Sequence, residues 1–345
     1  MKRSFASWPE CVALREFRSL LDVGHEHPNI VQLYEVVREA NAQLYFIFEY
    51  MPDGNLYEYI QRHTYNPEIG TMPAVLSESR IRSILTQVFQ GLAFLHKKGY
   101  VHRDMKPENI LLKGDVCKLA DFGLAREVAC QKTKTEYIST RWYRAPEVLL
   151  RSPHYGKPID LFGVGCIVAE LFSKQPLFPG ETEVDQLDRL TDLLGSPEES
   201  WKESTQLASN IGFEIPVKKP VEAFESRVPT APPSAIDLMR KLLQWNPKDR
   251  PTCDEALQHT FLVIPKVIVV DNDFSGMKKK KRSILPLPPT QPTYIVHPAK
   301  RRRNDQYVSP RSIQHVLDAV LPPQMQPQAL FAQPYSGCTS PSPFY

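Results

Sequence analysis

Residues 100–126 read "YVHRDMKPENILLKGDVCKLADFGLAR". The runs "YVH", "ILL" and "CKLA" have the apolar, turn-bounded character of short strands, and they bracket a polar loop and a second turn. Four residues there carry chemistry: Asp104, Lys106, Asn109 and Asp121. A phosphoryl-transfer site needs a carboxylate to accept or orient the attacking hydroxyl, a positive group near the transferred phosphate and oxygen ligands for Mg²⁺. These four supply that set in one loop and the turn that follows it. Taken singly, Asp104 suits a turn and Asn109 a cap; the combination at this spacing carries the reading.

Around this stretch the apolar pattern is mostly helical. From Ser77 to Lys97, Ile81, Ile84, Leu85, Val88, Leu92 and Leu95 recur at helical spacing. "DLFGVGCIVAELF" (160–172) is apolar nearly all round, which predicts a helix buried inside a helical domain. Before residue 76, "LYFIFEY" (44–50) is a β-rich run. At the start, "MKRSFASWPECVALREFRSLL" (1–21) has Ser7 and Glu10 at capping-box spacing and Pro9 in a first turn. Leu14, Phe17 and Leu21 then form an apolar stripe, with Glu16 beside it; an isolated glutamate there reads as a solvated surface group. The asymmetry predicts an α+β chain, a large helical lobe joined to a small, sheet-poor one.

Hydrophobic content of 42% and charged content of 23% are ordinary for a globular domain, and a net charge of +3 is too small to predict direct nucleic-acid binding. The six cysteines form no CxxC pair, which argues against a disulfide framework or a zinc site and for a reducing compartment. No apolar run approaches the ~20 residues of a membrane span, and no signal peptide is evident. A monomer away from membranes is expected. Composition changes near residue 262. Residues 263–345 are proline-rich with scattered charge and are expected to be largely disordered, with at most a short transient helix over Ser312 to Leu321. Two basic clusters there, Lys278 to Arg282 and Lys300 to Arg303, suit a bipartite import signal, predicting an import receptor as partner and a nuclear and cytoplasmic location. Ser309-Pro310, Ser340-Pro341 and Ser342-Pro343 are candidate proline-directed phosphosites.

Further segments extend the pattern: "LREFRSL", "LYFIFEYM", "HRDMKPEN", "DFGLAR", "TEYISTRWYRAPEVLLRS", "PLFPG", "LLGSP" and "LLQWNPKDRPT". On these the chain resembles a serine/threonine protein kinase of the cyclin-dependent and mitogen-activated group, nearest the male germ-cell-associated and intestinal-cell kinase branch. The resemblance runs from Met1 to about Leu262 and implies a bilobal kinase domain over 1–262, with a partial N-lobe (1–50), hinge and C-lobe (51–262), and a tail (263–345). It implies ATP and Mg²⁺ as cofactors, Asp104 as catalytic base with Lys106 beside the transferred phosphate, and Asn109 and Asp121 as metal ligands. Phe48 falls at the gatekeeper position, Glu49 and Met51 at the adenine-binding hinge, Asn55 within reach of the ribose, and Glu16 at the glutamate that clamps a strand lysine over the phosphates. Thr135 and Tyr137 fall where an upstream kinase would phosphorylate an activation loop, with Arg103, Arg126 and Arg141 to pair with the phosphate. Arg144 shapes the pocket after the acceptor, implying protein substrates with Ser/Thr-Pro sites. Glu147 and Arg250 resemble a buried structural ion pair, and Asp160 the residue that holds the catalytic loop.

The chain departs from the resemblance in one respect. Neither a glycine-rich GxGxxG nor a VAIK strand occurs in it, and the resemblance places both just ahead of Met1, so coding sequence upstream is expected. With roughly two strands left, residues 44–50 are expected to present an unpaired apolar edge. Losing one preorganised charge from such a site typically costs ~10²- to 10³-fold in rate, so transfer by these residues alone is expected to be severely impaired. The alternative is a pseudokinase or scaffold; four intact catalytic residues favour the enzyme. No cyclin-binding helix signature is evident, which favours activation by loop phosphorylation.

Overall fold

The computed structural model describes residues 2–4, 27–38, 43–64, 76–122, 125–127, 140–197, 201–217, 219–263 and 306–308. The predicted helix over 7–21 with Glu16, the loop residues Thr135 and Tyr137, and both basic clusters lie outside them. In chain order the small lobe holds β1 (Lys2–Ser4), β2 (Leu33–Arg38) and β3 (Gln43–Phe48). Then come α1 (Leu56–Arg62), α2 (Glu78–Lys97), β4 (Tyr100–Val101), β5 (Ile110–Lys113), β6 (Val116–Leu119) and β7 (Arg126–Glu127). The remaining helices are α3 (Pro146–Leu149), α4 (Pro158–Ser173), α5 (Glu183–Leu194), α6 (Glu203–Asn210), α7 (Phe224–Arg227), α8 (Pro233–Leu242) and α9 (Cys253–Leu257), and β8 (Gln306–Val308) closes the series.

The small lobe differs from expectation at both edges. Its sheet runs β1-β3-β2-β8, so β3 is a central strand, antiparallel to β1 on one side and to β2 on the other. The apolar run 44–50 is therefore not an unpaired edge: Lys2–Ser4 covers Gln43–Tyr45 in register. Within the tail expected to be disordered, Gln306–Val308 pairs antiparallel with Val36–Arg38. The reason in both cases is that a strand edge offers a row of free N–H and C=O groups, which even a three-residue extended segment can meet.

The helical lobe follows the sequence closely. Ser77 accepts a hydrogen bond from the Arg80 N–H at 3.2 Å and opens α2, whose buried face is Ile81, Ile84, Leu85, Val88, Leu92 and Leu95. Every residue from Ile159 to Phe172 in α4 is buried. That helix is the axis of one continuous apolar core reaching from Ile30 and Phe46 to Phe261. Gly163 lets α4 approach the polar loop closely: a Cβ at Gly163 would stand 2.9 Å from the Met105 Cβ and 3.1 Å from its carbonyl oxygen. The loop and α4 are thus packed backbone to backbone, which places Asp160 beneath the loop. Among the described residues no helix is long and apolar enough to cross a membrane.

Candidate active site

Asp160, one per cent exposed, organises the loop from below. Its Oδ2 accepts from the His102 N–H at 2.9 Å and lies 2.8 Å from His96 Nε2, and its Oδ1 accepts from the Arg103 N–H at 2.8 Å. These bonds hold Arg103 at φ 72°, a left-handed conformation that a non-glycine residue adopts only at a cost. The chain then turns sharply into Asp104. His102 is fully buried, and its Nε2 stands 3.0 Å from the Ala120 carbonyl oxygen. A carbonyl only accepts, so Nε2 carries the proton, and Nδ1 is left to accept from the Asp104 N–H at 3.3 Å. Ala120 in turn donates its N–H to the Asn109 carbonyl at 2.9 Å. Two bonds to a single residue therefore fasten the loop to the turn that begins at Asp121, itself at φ 60° and exposed.

At the surface of this frame the chemistry-bearing groups meet. Lys106 Nζ lies 2.7 Å from Asp104 Oδ2. Asn109 Nδ2 donates to that oxygen at 3.0 Å and to the Asp104 carbonyl at 2.8 Å. The second pair of bonds identifies which end of the Asn109 amide faces Asp104 and leaves Oδ1 as its oxygen ligand. Oδ1 and the Asp121 carboxylate are hard oxygen donors. Two protein ligands completed by phosphate oxygens and water are what Mg²⁺ accepts, so the residues fit that ion. Among the described residues there is no group of three or more His, Cys, Asp or Glu able to hold a metal by itself.

Beside Asp104 a groove is lined by Thr140, Tyr143, Arg144, Tyr155 and Ile159. Arg103 donates to the Tyr155 hydroxyl at 2.7 Å and stacks over its ring. Arg141 accepts through its carbonyl from the Arg144 N–H at 2.9 Å, and Arg144 reaches Glu183 at 3.8 Å. Arg126 is placed by its backbone, opposite Val101 in the β4–β7 pair, and so runs beside the residues that lead into Arg103. Glu147 and Arg250 form a fully buried pair away from the groove, with two contacts of 2.7 Å. The Tyr143 hydroxyl donates to Glu170 Oε2 at 2.7 Å. Burial, with the nearby Glu108 charge adding to it, pushes the Glu170 carboxyl up to about 7 against the lowering effect of that bond.

The segment 48–55 is bonded to β5 through Asp53 and Gly54 and to β6 through Glu49 and Lys118. Phe48 is half-buried against the core, Met51 is buried, and the Glu49 N–H is bonded to the Gln32 carbonyl at 2.9 Å. Asn55 has a role that sequence reasoning missed: it caps α1, its Oδ1 accepting from the Glu58 N–H at 2.9 Å while the Glu58 carboxylate accepts from its own N–H. The signal, Asn55 three residues before Glu58, was present. Also missed was Lys118, whose Nζ lies 2.5 Å from Glu49 Oε1; nothing local in the sequence pairs residues so far apart.

A family model described as the protein kinase domain matches residues 2–262. The human serine/threonine-protein kinase MAK is 43% identical over 332 residues, covering 94% of this chain and 51% of that protein. The rat serine/threonine-protein kinase ICK is 44% identical over 320 residues, covering 90% of this chain and 49% of its own length. Rice cyclin-dependent kinase F-3 is 46% identical over 262 residues, with 76% and 57% covered. The chain spans about half the length of the curated relatives it matches most fully.

Proposed function

The chain belongs to the protein kinase family, as a serine/threonine kinase related to MAK and ICK, and from that premise we propose that it transfers the ATP γ-phosphate to serine or threonine followed by proline. The carrying observation is the Asp104, Lys106 and Asn109 cluster fastened through Ala120 to Asp121. Asp104 takes the proton of the acceptor hydroxyl. Lys106 stands next to that carboxylate, where a transferred phosphate passes, and offsets its charge. Asn109 and Asp121 would hold Mg²⁺, which would supply neutralisation of phosphate charge. The Glu49 carbonyl and Met51 N–H face adenine, and the groove beside Arg144 receives the proline.

Phosphorylation of Thr135 and Tyr137 by an upstream kinase is part of this reading. A doubly charged phosphate there would draw on Arg103, Arg126 and Arg141 and order the segment leading to the groove. The basic clusters at Lys278 to Arg282 and Lys300 to Arg303 direct import to the nucleus. Because the 345 residues contain neither GxGxxG nor VAIK, their own turnover should fall well below the ~1–100 s⁻¹ usual for kinases, and binding or scaffolding is the second reading.

The test is long-incubation labelling of paired peptides, Ser-Pro and Ser-Ala, from γ-labelled ATP. Slow, Mg²⁺-dependent labelling that favours Ser-Pro and is absent in Asp104→Asn supports the proposal. Equal labelling of both peptides contradicts the proline preference, and labelling that survives Asp104→Asn contradicts the site.

A further inference from the structure

The hinge segment is held at both ends, and one of its anchors is a side-chain pair. At its far end Asp53 and Gly54 bond to Leu112 of β5 through backbone contacts of 3.3 and 2.9 Å. At its near end the anchor is the Glu49 carboxylate, whose Oε1 accepts from the Gln32 N–H at 2.7 Å and from Lys118 Nζ at 2.5 Å. Glu49 and Lys118 side chains are only 10% and 15% exposed, so the pair is screened little by solvent. Lys118 lies on β6, three residues before Asp121, and the strand is further tied to the segment ahead of β2 by Val31 N–H to Leu119 O at 2.9 Å and Leu119 N–H to Asn29 O at 2.8 Å. One carboxylate oxygen thus joins three segments: the approach to β2, the hinge and the strand that delivers Asp121.

We propose that Lys118 and Glu49 form a strut that positions the hinge carbonyl and N–H groups for the nucleotide base relative to the Asp121 turn, making Lys118 a positioning residue for nucleotide binding. The inference rests on the nucleotide reading given above. Mechanically it follows from connectivity. The Glu49 N–H is occupied by Gln32, so its peptide plane is already oriented on one side. The carboxylate contact with Lys118 fixes the Glu49 side chain and so ties the near end of the hinge to β6. Tyr50 is 79% exposed, so without the strut the described contacts that hold the segment from Glu49 to Gly54 would be its far end, the Gln32 bonds and the buried Met51 side chain.

Hydrogen exchange of amides 50–54 in the nucleotide-free chain, together with calorimetric titration of ADP, tests this in the parent chain, Lys118→Met, Lys118→Arg and Glu49→Gln. Hinge exchange about tenfold faster and ADP binding about tenfold weaker are expected in Lys118→Met and Glu49→Gln, with both recovered in Lys118→Arg. Glu49→Gln keeps the side-chain shape and covers the case in which Lys118→Met does not fold. Unchanged hinge exchange in a folded variant would overturn the strut. Faster exchange with unaltered ADP affinity would overturn the positioning role. A parent chain that binds no ADP would overturn the nucleotide reading and this inference with it.

Discussion

Arg250 and Glu147 meet through two parallel hydrogen bonds of 2.7 Å, with side-chain exposures of 0% and 1%. The remaining guanidinium donors reach the carbonyls of Gln244, Trp245 and Pro158 at 2.8, 3.1 and 3.0 Å, and Phe162 lies under the plane at 5.0 Å. Five donors have five acceptors, so removing either partner strands a buried charge. Glu147→Gln or Arg250→Met should destabilise the domain by about 3 to 5 kcal/mol. Denaturant unfolding measures it, and a loss under about 1 kcal/mol would contradict the account.

Asp160 acts on the site only through backbone. Asp160→Asn keeps its size but replaces one acceptor oxygen with a donor facing the N–H of His102 or Arg103. The left-handed turn at Arg103 should relax, with a stability loss of about 3 kcal/mol from one broken bond and the lost charge assistance of the other. Hydrogen exchange of the 102–104 amides should rise in step. Unaltered exchange there would show that the turn is held by something else.

Gly163 makes a steric prediction. Gly163→Ala places a Cβ 2.9 Å from the Met105 Cβ, so the loop must shift or α4 must back away. Overpacking of this kind costs about 1 to 3 kcal/mol, and because Met105 separates Asp104 from Lys106, ADP or peptide affinity should change with stability. A variant of parental stability would mean the contact is softer than the geometry implies.

Glu170 sets a pH dependence. Its folded value of about 7 stands above the ordinary carboxylate value, so the folded chain holds a proton that the unfolded chain releases between about 4.5 and 7. The stability associated with that proton is full below about 4.5 and is lost as pH rises through about 7. Glu170→Gln, which mimics the protonated form, should gain on the parent by on the order of 3 kcal/mol across that window. Parallel stability curves for the two chains between pH 4.5 and 7 would contradict the shift.

How much was legible depended on range. The helices α2 and α4, the strands around the loop and the residues Asp104, Asn109 and Asp121 stand in patterns whose spacing reports their setting, and the structure brings Asp104, Lys106 and Asn109 together. Asp160, Glu147 and Arg250 were readable only through the family resemblance, because their partners lie far off in sequence. Local capping at Asn55 was readable in principle, since Glu58 lies one helical turn on. The Glu49 to Lys118 contact was not, because it joins segments 69 residues apart with no shared period. Nor were β1 and β8: three residues are too few to show alternation, and what recruits them is an open strand edge elsewhere.

The central claim is that Asn109 and Asp121 complete a Mg²⁺-dependent nucleotide site beside Asp104. Calorimetric titration of ADP into the chain, with Mg²⁺ and then with EDTA, tests it most directly, with Asp121→Asn as the comparison. The account predicts binding that weakens at least about tenfold on chelation and is insensitive to Mg²⁺ in Asp121→Asn. Equal affinity with and without Mg²⁺ in the parent chain would contradict it.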